Sequence, residues 1–339
     1  MMSRSLPPVP EGRHGWPWTA VASLPQDGKG DSVPRVSVVT PSFNQGEFLE
    51  ATIRSVLLQG YPNLQYIIVD GGSTDHSNLI LDKYRHLIDV VIQEEDQGQS
   101  DAINKGLALA DGQLFNWINS DDLIQPGVLW ELGTRINDEC DLYTFPSSVE
   151  GQGIKPYLMR NENLSAYRIL RADRYSFSQP GLWFRLDRLR KCGGIDTTLN
   201  YGFDWDLLIR YLSSNPRVRY SSTVGALFRL HAQSKTCIES AKENETENRF
   251  RQECGVIRDK LEQTLPRRLS NASRLGRLRE PWNNRMIELL DDFDQSPFVS
   301  AMIIAREASQ QPRARFSART LGAVARLLSR YFRRPLRSE

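Results

Sequence analysis

Short apolar runs alternate with longer stretches of helical apolar spacing through the first 135 residues. Runs rich in β-branched and aromatic residues predict buried strands, and apolar positions three or four apart predict helices. The predicted strands are 36–40, 65–69, 89–93 and 114–118. The predicted helices that follow them are 48–58, 78–86, 100–110 and 127–132. Strands that alternate with helices at this period predict an α/β fold with a mostly parallel, doubly wound, Rossmann-like sheet and right-handed crossovers.

Polar residues follow three of these strands, at Thr40–Phe43, at Asp70 and at Asn119–Asp122. The carboxyl ends of parallel strands meet at one edge of a sheet, where ligands bind. The adjacent carboxylates of Asp121 and Asp122 repel each other unless a cation lies between them, and a hard divalent cation is the natural partner. The alternative is that the two acids form a turn that caps the next helix.

Two common nucleotide-binding motifs are missing from the sequence. The turn after the first strand is 40–46, Thr-Pro-Ser-Phe-Asn-Gln-Gly, which lacks the Gly-x-Gly-x-x-Gly of dinucleotide sites. No Gly-x-x-x-x-Gly-Lys-Ser/Thr phosphate loop occurs either. Both of these nucleotide folds are therefore disfavoured.

Four motifs nevertheless occur in an informative order. They are Val-Ser-Val-Val-Thr-Pro-Ser-Phe-Asn (36–44), Ile-Val-Asp-Gly-Gly-Ser-Thr-Asp (68–75), Asp-Gln-Gly-Gln-Ser-Asp-Ala-Ile-Asn-Lys-Gly (96–106) and Trp-Ile-Asn-Ser-Asp-Asp (117–122). Together they resemble an inverting family 2 glycosyltransferase with the glycosyltransferase A-type fold, over about residues 35–235.

The resemblance implies a nucleotide-sugar site at the strand ends. Thr40, Pro41 and Phe43 would cradle the nucleoside, with the Phe43 ring near the base. Asp70 would accept hydrogen bonds from the base or ribose. Asn119 would lie at the donor as the first residue of the family's metal motif.

In the family that motif is Asp-x-Asp, and here it falls on Asn119–Ser120–Asp121, so that its first acid is an amide. The resemblance implies that Asp121 is the direct ligand of Mg²⁺ or Mn²⁺, with Asp122 as a helper. His231 is a further candidate ligand, better suited to Mn²⁺ than to Mg²⁺, although a lone histidine is more often structural. The alternative cations for the departing diphosphate are Lys235 and Arg229.

The acceptor side is expected between residues 175 and 235. By position the family's catalytic base matches Asp204, at the start of a predicted helix. A helix start stabilises the carboxylate anion, while partial burial beside Phe203 and Trp205 can keep it poised. The alternative for Asp204 is a helix N-cap. Weaker acceptor-side candidates are Gln179, Trp183 and Asp206.

Composition limits the remaining possibilities. The 339 residues carry 43 basic and 41 acidic side chains, a net charge of +2, so that no nucleic-acid partner is expected. Four cysteines without metal-ligand spacing and the absence of a signal or membrane-spanning segment predict a cytoplasmic protein with reduced thiols.

Three regions are predicted along the chain: an extended leader (1–34) pinned by Trp16 and Trp18, a catalytic domain (35–239) and a basic helical extension (240–339). The catalytic domain has a nucleotide-sugar half (35–125) and an acceptor half (140–239). Residues 313–337 contain eight arginines and no acid. Such a basic amphipathic helix favours peripheral binding to an anionic membrane, at the inner face; a packed helix or a frayed tail are the alternatives.

The expected function is metal-dependent, inverting transfer of a sugar from a nucleotide-diphosphate sugar, with UDP favoured, to a glycan or lipid-linked acceptor, in cell-surface polysaccharide or glycan biosynthesis. The alternative from another class is a catalytically silent nucleotide-sugar-binding or scaffold protein at the membrane. A nucleotidyltransferase is a second enzymatic alternative, disfavoured because residues 40–46 lack its glycine-rich and basic loop.

Overall fold

The computed structural model describes residues 5–19, 33–135, 139–151, 153–172, 177–240, 249–277, 297–310 and the three positions 324, 325 and 327. The chain divides into two compact units. The first contains Met1–Ala166 and Tyr175–Gln263, and the second contains Tyr167–Arg174 and Thr264–Glu339. The first unit therefore extends beyond residue 239, where the sequence predicts the end of the catalytic domain.

Strands and helices alternate as predicted in the amino-terminal half. The strands are β1 Val36–Ser42, β2 Leu64–Asp70, β3 Val90–Gln93, β4 Leu114–Trp117, β5 Leu123–Ile124, β6 Leu142–Thr144, β7 Ser147–Gly151, β8 Ile154–Met159, β9 Leu182–Arg185, β10 Val218–Tyr220 and β11 Ala226–Leu230. The helices are α1 Gly46–Leu57, α2 Ser77–Tyr84, α3 Gln99–Leu109, α4 Val128–Arg135, α5 Ala166–Ala172, α6 Leu186–Lys191, α7 Phe203–Ser213, α8 Lys235–Ser240, α9 Arg249–Thr264, α10 (267–277) and α11 Pro297–Gln310.

The central sheet has seven strands in the order β10-β6-β9-β4-β1-β2-β3. The pairs β1–β2, β1–β4, β2–β3 and β6–β10 are parallel, whereas β9 runs antiparallel between β4 and β6. This confirms the predicted α/β fold with a mostly parallel sheet. The order places the carboxyl ends of β4, β1 and β2 side by side, which positions the site.

A second, four-stranded sheet has the order β5-β11-β7-β8. Strand β11 pairs antiparallel with β5 and parallel with β7. The apolar run at 225–230 predicts a strand, which is β11. The sequence does not predict the others, because β5 has two residues and the β7–β8 hairpin lacks a regular alternation of apolar and polar positions. The pairing of β5 with β11 brings the polar residues after β11 to the loop between β4 and β5.

Burial explains why the strands read as continuous apolar runs. All seven residues of β1 are buried, and Trp117 of β4 stacks on Phe184 of β9 with ring centroids 6.2 Å apart. Helix α3 packs closely on the sheet at Gly106, where an added Cβ would lie 2.5 Å from Val39 Cγ1. Strands covered on both faces need no polar alternation.

The amino-terminal segment 5–19 contacts the rest of the first unit through both of its tryptophans. Trp16 Nε1 donates a hydrogen bond of 2.9 Å to the Ile124 carbonyl. The guanidinium of Arg54, which is 3% exposed, lies 5.4 Å from the Trp18 ring centroid and donates to the carbonyls of Pro7 and Pro17. A buried cation from α1 therefore holds this segment.

The second unit is helical where it is described. It contains α10, α11 and most of α5, with the Arg268 guanidinium 5.2 Å from the ring centroid of Tyr167. The predicted amphipathic helix at 313–337 lies outside the described residues except for Val324, Ala325 and Leu327. Leu327 is buried. None of the helices in the described part of the chain combines the length and apolar character that crossing a bilayer requires.

Candidate functional site

The carboxyl ends of β1, β2 and β4 open into a cavity of about 730 Å³, which we call the donor cavity. Its walls come from three strand ends and from the segments that begin α3 and α8. The strand-end residues in its lining are Pro41, Ser42, Phe43, Gly71, Gly72, Asn119, Ser120 and Asp121. The segments before and within α3 and α8 add Glu95, Asp96, Gly98, Gln99, Ser234 and Lys235. The sequence prediction that the strand ends meet at one edge therefore agrees with the structure.

The first strand end separates into exposed and buried residues. Phe43 is 58% exposed and lines the cavity with Pro41, so that its ring is available to a ligand. Thr40 is fully buried, and its Oγ1 lies 3.1 Å from the Tyr66 hydroxyl. The expectation that Thr40 cradles the nucleoside needs correction, because Thr40 lies deeper in β1 than the cavity lining and its hydroxyl contacts Tyr66 in the core.

Asp70 is also buried, and its carboxylate is used within its own turn. It accepts hydrogen bonds from the N–H groups of Gly72 and Ser73 and from the Ser73 hydroxyl, the last at 2.6 Å. Asp70 therefore shapes the turn that brings Gly71 and Gly72 to the cavity, and it is not itself part of the lining. This differs from the expectation that Asp70 binds the base or ribose.

Asp96 lines the donor cavity, whereas Asp70 does not. Its carboxylate lies against Gly71, where an added Cβ would fall 2.5 Å from Asp96 Oδ2, and it accepts a hydrogen bond from Gly98 N–H. Burial raises the pKa of Asp96. Asp96 belongs to the third motif, where no role was expected for it; its position in the loop directly after β3 was the available signal.

The two adjacent acids have different surroundings. Asp121 lines the donor cavity and is partly exposed, whereas Asp122 is fully buried. Asp122 accepts hydrogen bonds from Arg229 N–H and from Asn119 Nδ2. Burial, with the neighbouring charge of Asp121, raises the pKa of Asp122 well above its ordinary value. Asp122 is thus a part of the loop's internal support, and the structure does not bring it to the cavity as a helper ligand.

Arg229 holds this loop from strand β11. Its guanidinium donates to the carbonyl of Asp121 and to that of Phe48, and it lies 5.2 Å from the Phe48 ring centroid. Burial lowers the pKa of Arg229. Because these groups already surround the guanidinium, Arg229 fits the support of the loop better than the neutralisation of a diphosphate.

His231 lies beside Asp121 at the cavity edge. Its Nε2 is 3.1 Å from Asp121 Oδ2, and its ring packs against Phe48 with centroids 4.2 Å apart. Within the described residues, no group of three or more His, Cys, Asp and Glu side chains is arranged around one metal position. A carboxylate and an imidazole this close do fit a divalent cation whose remaining ligands are phosphate oxygens and water.

Lys235 links the donor cavity to a second cavity. Its ammonium donates to Gln99 Oε1 at 3.1 Å and to the Asn200 carbonyl at 3.0 Å, and burial lowers its pKa. Gln99 in turn donates to Asn119 Oδ1 at 2.7 Å. A continuous chain of polar contacts thus runs from Asp122 through Asn119 and Gln99 to Lys235.

The second cavity, of about 370 Å³, has mostly aromatic and apolar walls, and we call it the acceptor cavity. Its aromatic residues come from six segments: Trp117, Tyr157, Phe177, Tyr201, Phe203, Phe228 and Phe250. It shares Gln99, Asn119, Phe228, Lys235 and Thr236 with the donor cavity. The two cavities are therefore adjacent, and a molecule in one can meet a molecule in the other.

Asp204 lies in the wall of the acceptor cavity, in the first turn of α7. Burial raises its pKa to about 7, against the hydrogen bond from Trp205 N–H and the charge of Lys235, which lower it. A carboxylate poised near neutrality can accept a proton from a hydroxyl group. The N-cap of α7 is Gly202, so Asp204 does not occupy the capping position.

The weaker acceptor-side candidates lie at different depths. Gln179 lines the acceptor cavity and donates from Nε2 to the Trp117 carbonyl. Trp183 is buried in the core. Asp206 is fully buried and pairs with Arg210 at 2.6 Å, which excludes it from the cavity wall. Trp183 and Asp206 therefore need correction as acceptor-binding residues, since both point into the protein.

Comparisons with known proteins agree with this geometry. TuaG of Bacillus subtilis (strain 168), named as a glycosyltransferase of teichuronic acid biosynthesis, is 44% identical over 92 residues, which cover 26% of this chain and 36% of the relative. The chain thus spans about a third of the length of TuaG. TarS 1–349 of S. aureus, in complex with UDP-GlcNAc, superposes with a TM-score of 0.60 at 17% identity, over 88% of this chain and 89% of the 1–349 chain.

A second solved structure is the mannosyltransferase PcManGT of Pyrobaculum calidifontis, in complex with GDP-Man and Mn²⁺. It superposes with a TM-score of 0.55 at 15% identity, over 93% of this chain and 91% of the neighbour. Both neighbours support the glycosyltransferase A-type fold. Residues 37–191 match the model of Glycosyl transferase family 2. Over residues 37–191 the chain is accordingly similar to glycosyltransferase family 2.

Proposed function

We propose that the protein transfers a sugar from a nucleotide-diphosphate sugar to an acceptor hydroxyl with inversion at the anomeric carbon. The observation that carries the proposal is the adjacency of two cavities, one with Asp121 and one with Asp204 in its wall. Inverting transfer needs a base on the acceptor side and charge compensation on the donor side, and this chain offers both.

The donor cavity suits a nucleoside diphosphate. The exposed ring of Phe43 can stack on a base, and Asp96 can accept hydrogen bonds from a base or ribose. UDP is the favoured nucleotide, because TarS is a structural neighbour solved with UDP-GlcNAc. The glycine pair Gly71–Gly72 lets a ligand approach the backbone closely.

The chemistry assigns Asp204 the role of general base. Its carboxylate takes the proton of the acceptor hydroxyl while the hydroxyl oxygen bonds to the anomeric carbon. The bond from that carbon to the phosphate oxygen breaks, and the nucleoside diphosphate leaves with the electron pair. Attack on the face opposite the leaving group inverts the anomeric configuration.

Asp121 and His231 are the residues that would hold a divalent cation, either Mg²⁺ or Mn²⁺. Such a cation compensates the charge that develops on the leaving diphosphate. Lys235, whose ammonium faces both cavities, contributes positive charge at the same place. Asn119 keeps its amide in contact with Asp122 and Gln99, so its proposed part is support of Asp121 rather than ligation.

The acceptor is proposed to be a glycan or a lipid-linked glycan of cell-surface polysaccharide biosynthesis, the process for which TuaG is named. Aromatic walls suit the apolar faces of sugar rings, and Asp204 and Gln179 supply polar contacts among them. A catalytically silent binding protein is the second candidate, but binding alone does not require a poised carboxylate beside the donor cavity.

A panel of nucleotide-sugars tests the proposal. We expect one donor, a UDP-sugar, to raise the melting temperature in the presence of Mn²⁺ and to be turned over with an acceptor glycan. Product analysis by NMR should show the anomeric configuration inverted. Binding without turnover for every donor and acceptor would favour the silent alternative, and a retained configuration would refute inversion.

Membrane association through 313–337 rests on the sequence alone. Each of its basic residues is worth about 1 kcal/mol near an anionic leaflet. We expect co-sedimentation with anionic but not neutral vesicles, reduced by added salt. A chain shortened after Gln311 should lose vesicle binding and keep donor turnover; loss of folding instead would identify the segment as a packed helix.

A further inference from the structure

Helix α9 lies outside residues 37–191, yet it contacts the segment that carries Asp204. Lys260 Nζ is 2.5 Å from Asp196 Oδ2, and the Arg258 guanidinium lies 5.1 Å from the Trp205 ring centroid. Ile257 packs on Gly202 so closely that an added Cβ there would lie 2.8 Å from Ile257 Cδ1. One face of α9 therefore supports the segment from residue 196 to residue 205.

Glu253, on the same helix, makes three hydrogen bonds to this segment. Its Oε1 accepts from Asn200 N–H at 2.9 Å, and its Oε2 accepts from Tyr201 and Gly202 N–H at 2.8 Å each. Gly202 is the N-cap of α7, and no side chain of its own can cap the helix. A carboxylate from α9 thus satisfies the backbone donors that lead into the helix, where negative charge is also favoured by the helix dipole.

We infer that Glu253 is a positioning residue for Asp204. It fixes the turn 200–202, from which α7 starts, and so fixes the place of the Asp204 carboxylate in the acceptor cavity two residues later. This inference rests on the proposed role of Asp204 as general base. Phe250, one turn before Glu253, lines the same cavity. Helix α9 therefore contributes Phe250 to the cavity lining and Glu253 to the support of the turn.

The charges around Asp204 give the inference a measurable consequence. Two charged groups act on Asp204 from different helices: Lys235 of α8 lowers its pKa, and Glu253 of α9 raises it. Burial, the main cause of the raised pKa, also depends on the turn staying closed. Loss of the Glu253 charge and loosening of the turn therefore shift the pKa of Asp204 in the same direction, downward.

Glu253→Gln is the test. It keeps the size of the side chain but removes the charge and one of the two carboxylate acceptors. We expect kcat to fall by about tenfold to a hundredfold, since small displacements of a reacting group cost that much, with the donor KM unchanged. The pKa of Asp204, followed by ¹³C NMR with Asp204→Asn as assignment, should fall below that of the wild type; this readout needs no turnover.

Lys260→Gln is the matched control, because it removes a contact of the same helix farther from Asp204. It should leave both kcat and the pKa of Asp204 near wild type. Glu253→Asp keeps the charge but shortens the reach of the carboxylate, so kcat should fall in this variant too. It tests the inference if Glu253→Gln does not fold. Wild-type kcat and an unshifted pKa in the Glu253 variants, or equal losses in Lys260→Gln, would overturn the inference. Full turnover of Asp204→Asn would instead refute the proposed base.

Discussion

The donor and acceptor cavities share a boundary but are assembled in different ways. The donor cavity is built mainly from the ends of neighbouring parallel strands, which the sheet order brings together. The acceptor cavity collects side chains from β8, the turn before β9, α7, β11, α8 and α9, together with residues of α3 and β4. The first depends on sheet topology, whereas the second depends on the packing of segments far apart in sequence.

Because the two cavities are assembled differently, we expect donor binding and the chemical step to respond to different substitutions. Residues of the donor cavity lie on turns with hydrogen bonds of their own, from Ser73 N–H to Asp70 and from Asn119 Nδ2 to Asp122, and Arg229 adds support to the second turn from β11. Asp204 is held by a helix start whose support comes from α9. Changes in the donor cavity should therefore alter donor affinity, and changes at Asp204 or its support should alter turnover.

The largest expected effect is at Asp204. Asp204→Asn keeps the shape of the side chain but cannot take a proton, so kcat should fall by about 10²–10⁴-fold. Nucleotide affinity, measured by isothermal titration calorimetry, should change little, because the donor cavity does not include Asp204. An equal loss of donor affinity would break the separation of the two cavities.

The acid limb of the pH–rate profile should report the same group. Because the pKa of Asp204 is raised to about 7, kcat/KM should fall by up to tenfold per pH unit below that value. Ionisation of the Asp204 carboxyl also costs stability. The cost is absent below the ordinary pKa of an aspartate and grows as the pH rises towards 7. Asp204→Asn should therefore stabilise the fold at pH 8, by up to about 4 kcal/mol, and not at pH 4.

A change in the donor cavity should instead act mainly on nucleotide affinity. Asp121→Ala removes the carboxylate that faces the cavity, and UDP binding in Mn²⁺ should weaken at least about tenfold. Calorimetry with and without Mn²⁺ separates the metal from the nucleotide, and excess EDTA should abolish activity. Unaltered turnover in EDTA would contradict the metal assignment while leaving the role of Asp204 intact.

The smallest effect concerns stability at Asn119. Asn119→Asp places a second acid against the buried Asp122, so the free energy of unfolding should fall by about 1–3 kcal/mol at pH 8. Asn119→Ala loses the same hydrogen bonds without adding charge and is the control. Chemical denaturation should show a larger loss for the acid; tighter Mn²⁺ binding without destabilisation would instead make Asn119 a replaced metal ligand.

The sequence predicted the half of the site that follows from local patterns. The apolar runs predicted β1 to β4 and a mostly parallel sheet, and Pro41, Phe43 and Asp121 lie together at its strand ends. The depth of each side chain was harder to predict: Thr40 and Asp70 point into the core although their neighbours line the cavity. Strand ends locate a region, but a single residue's face depends on packing that a short motif does not encode.

The acceptor side was less predictable because its contacts are long-range. Asp204 was found through its motif, but the partners that raise its pKa come from segments without periodic patterns. Asp206 is an exception, since its pairing with Arg210 four residues later is a local signal that was available and that places it inside the protein. Glu253 carried no sequence signal, because its partners are backbone N–H groups more than 50 residues away.

The contacts of Arg54 make the amino-terminal segment part of the folding unit. Arg54 draws backbone oxygens of Pro7 and Pro17 against α1, and cleavage after residue 19 would release both from the chain. The Arg54 guanidinium would then lose these acceptors and its contact with the Trp18 ring, and it would be exposed to water. Proteolytic removal of this segment, or a protein fused to it, would therefore change the surroundings of α1. Helix α1 contacts the loop that carries Asp121, because the Thr52 hydroxyl donates to the carbonyls of Ser120 and Asp122.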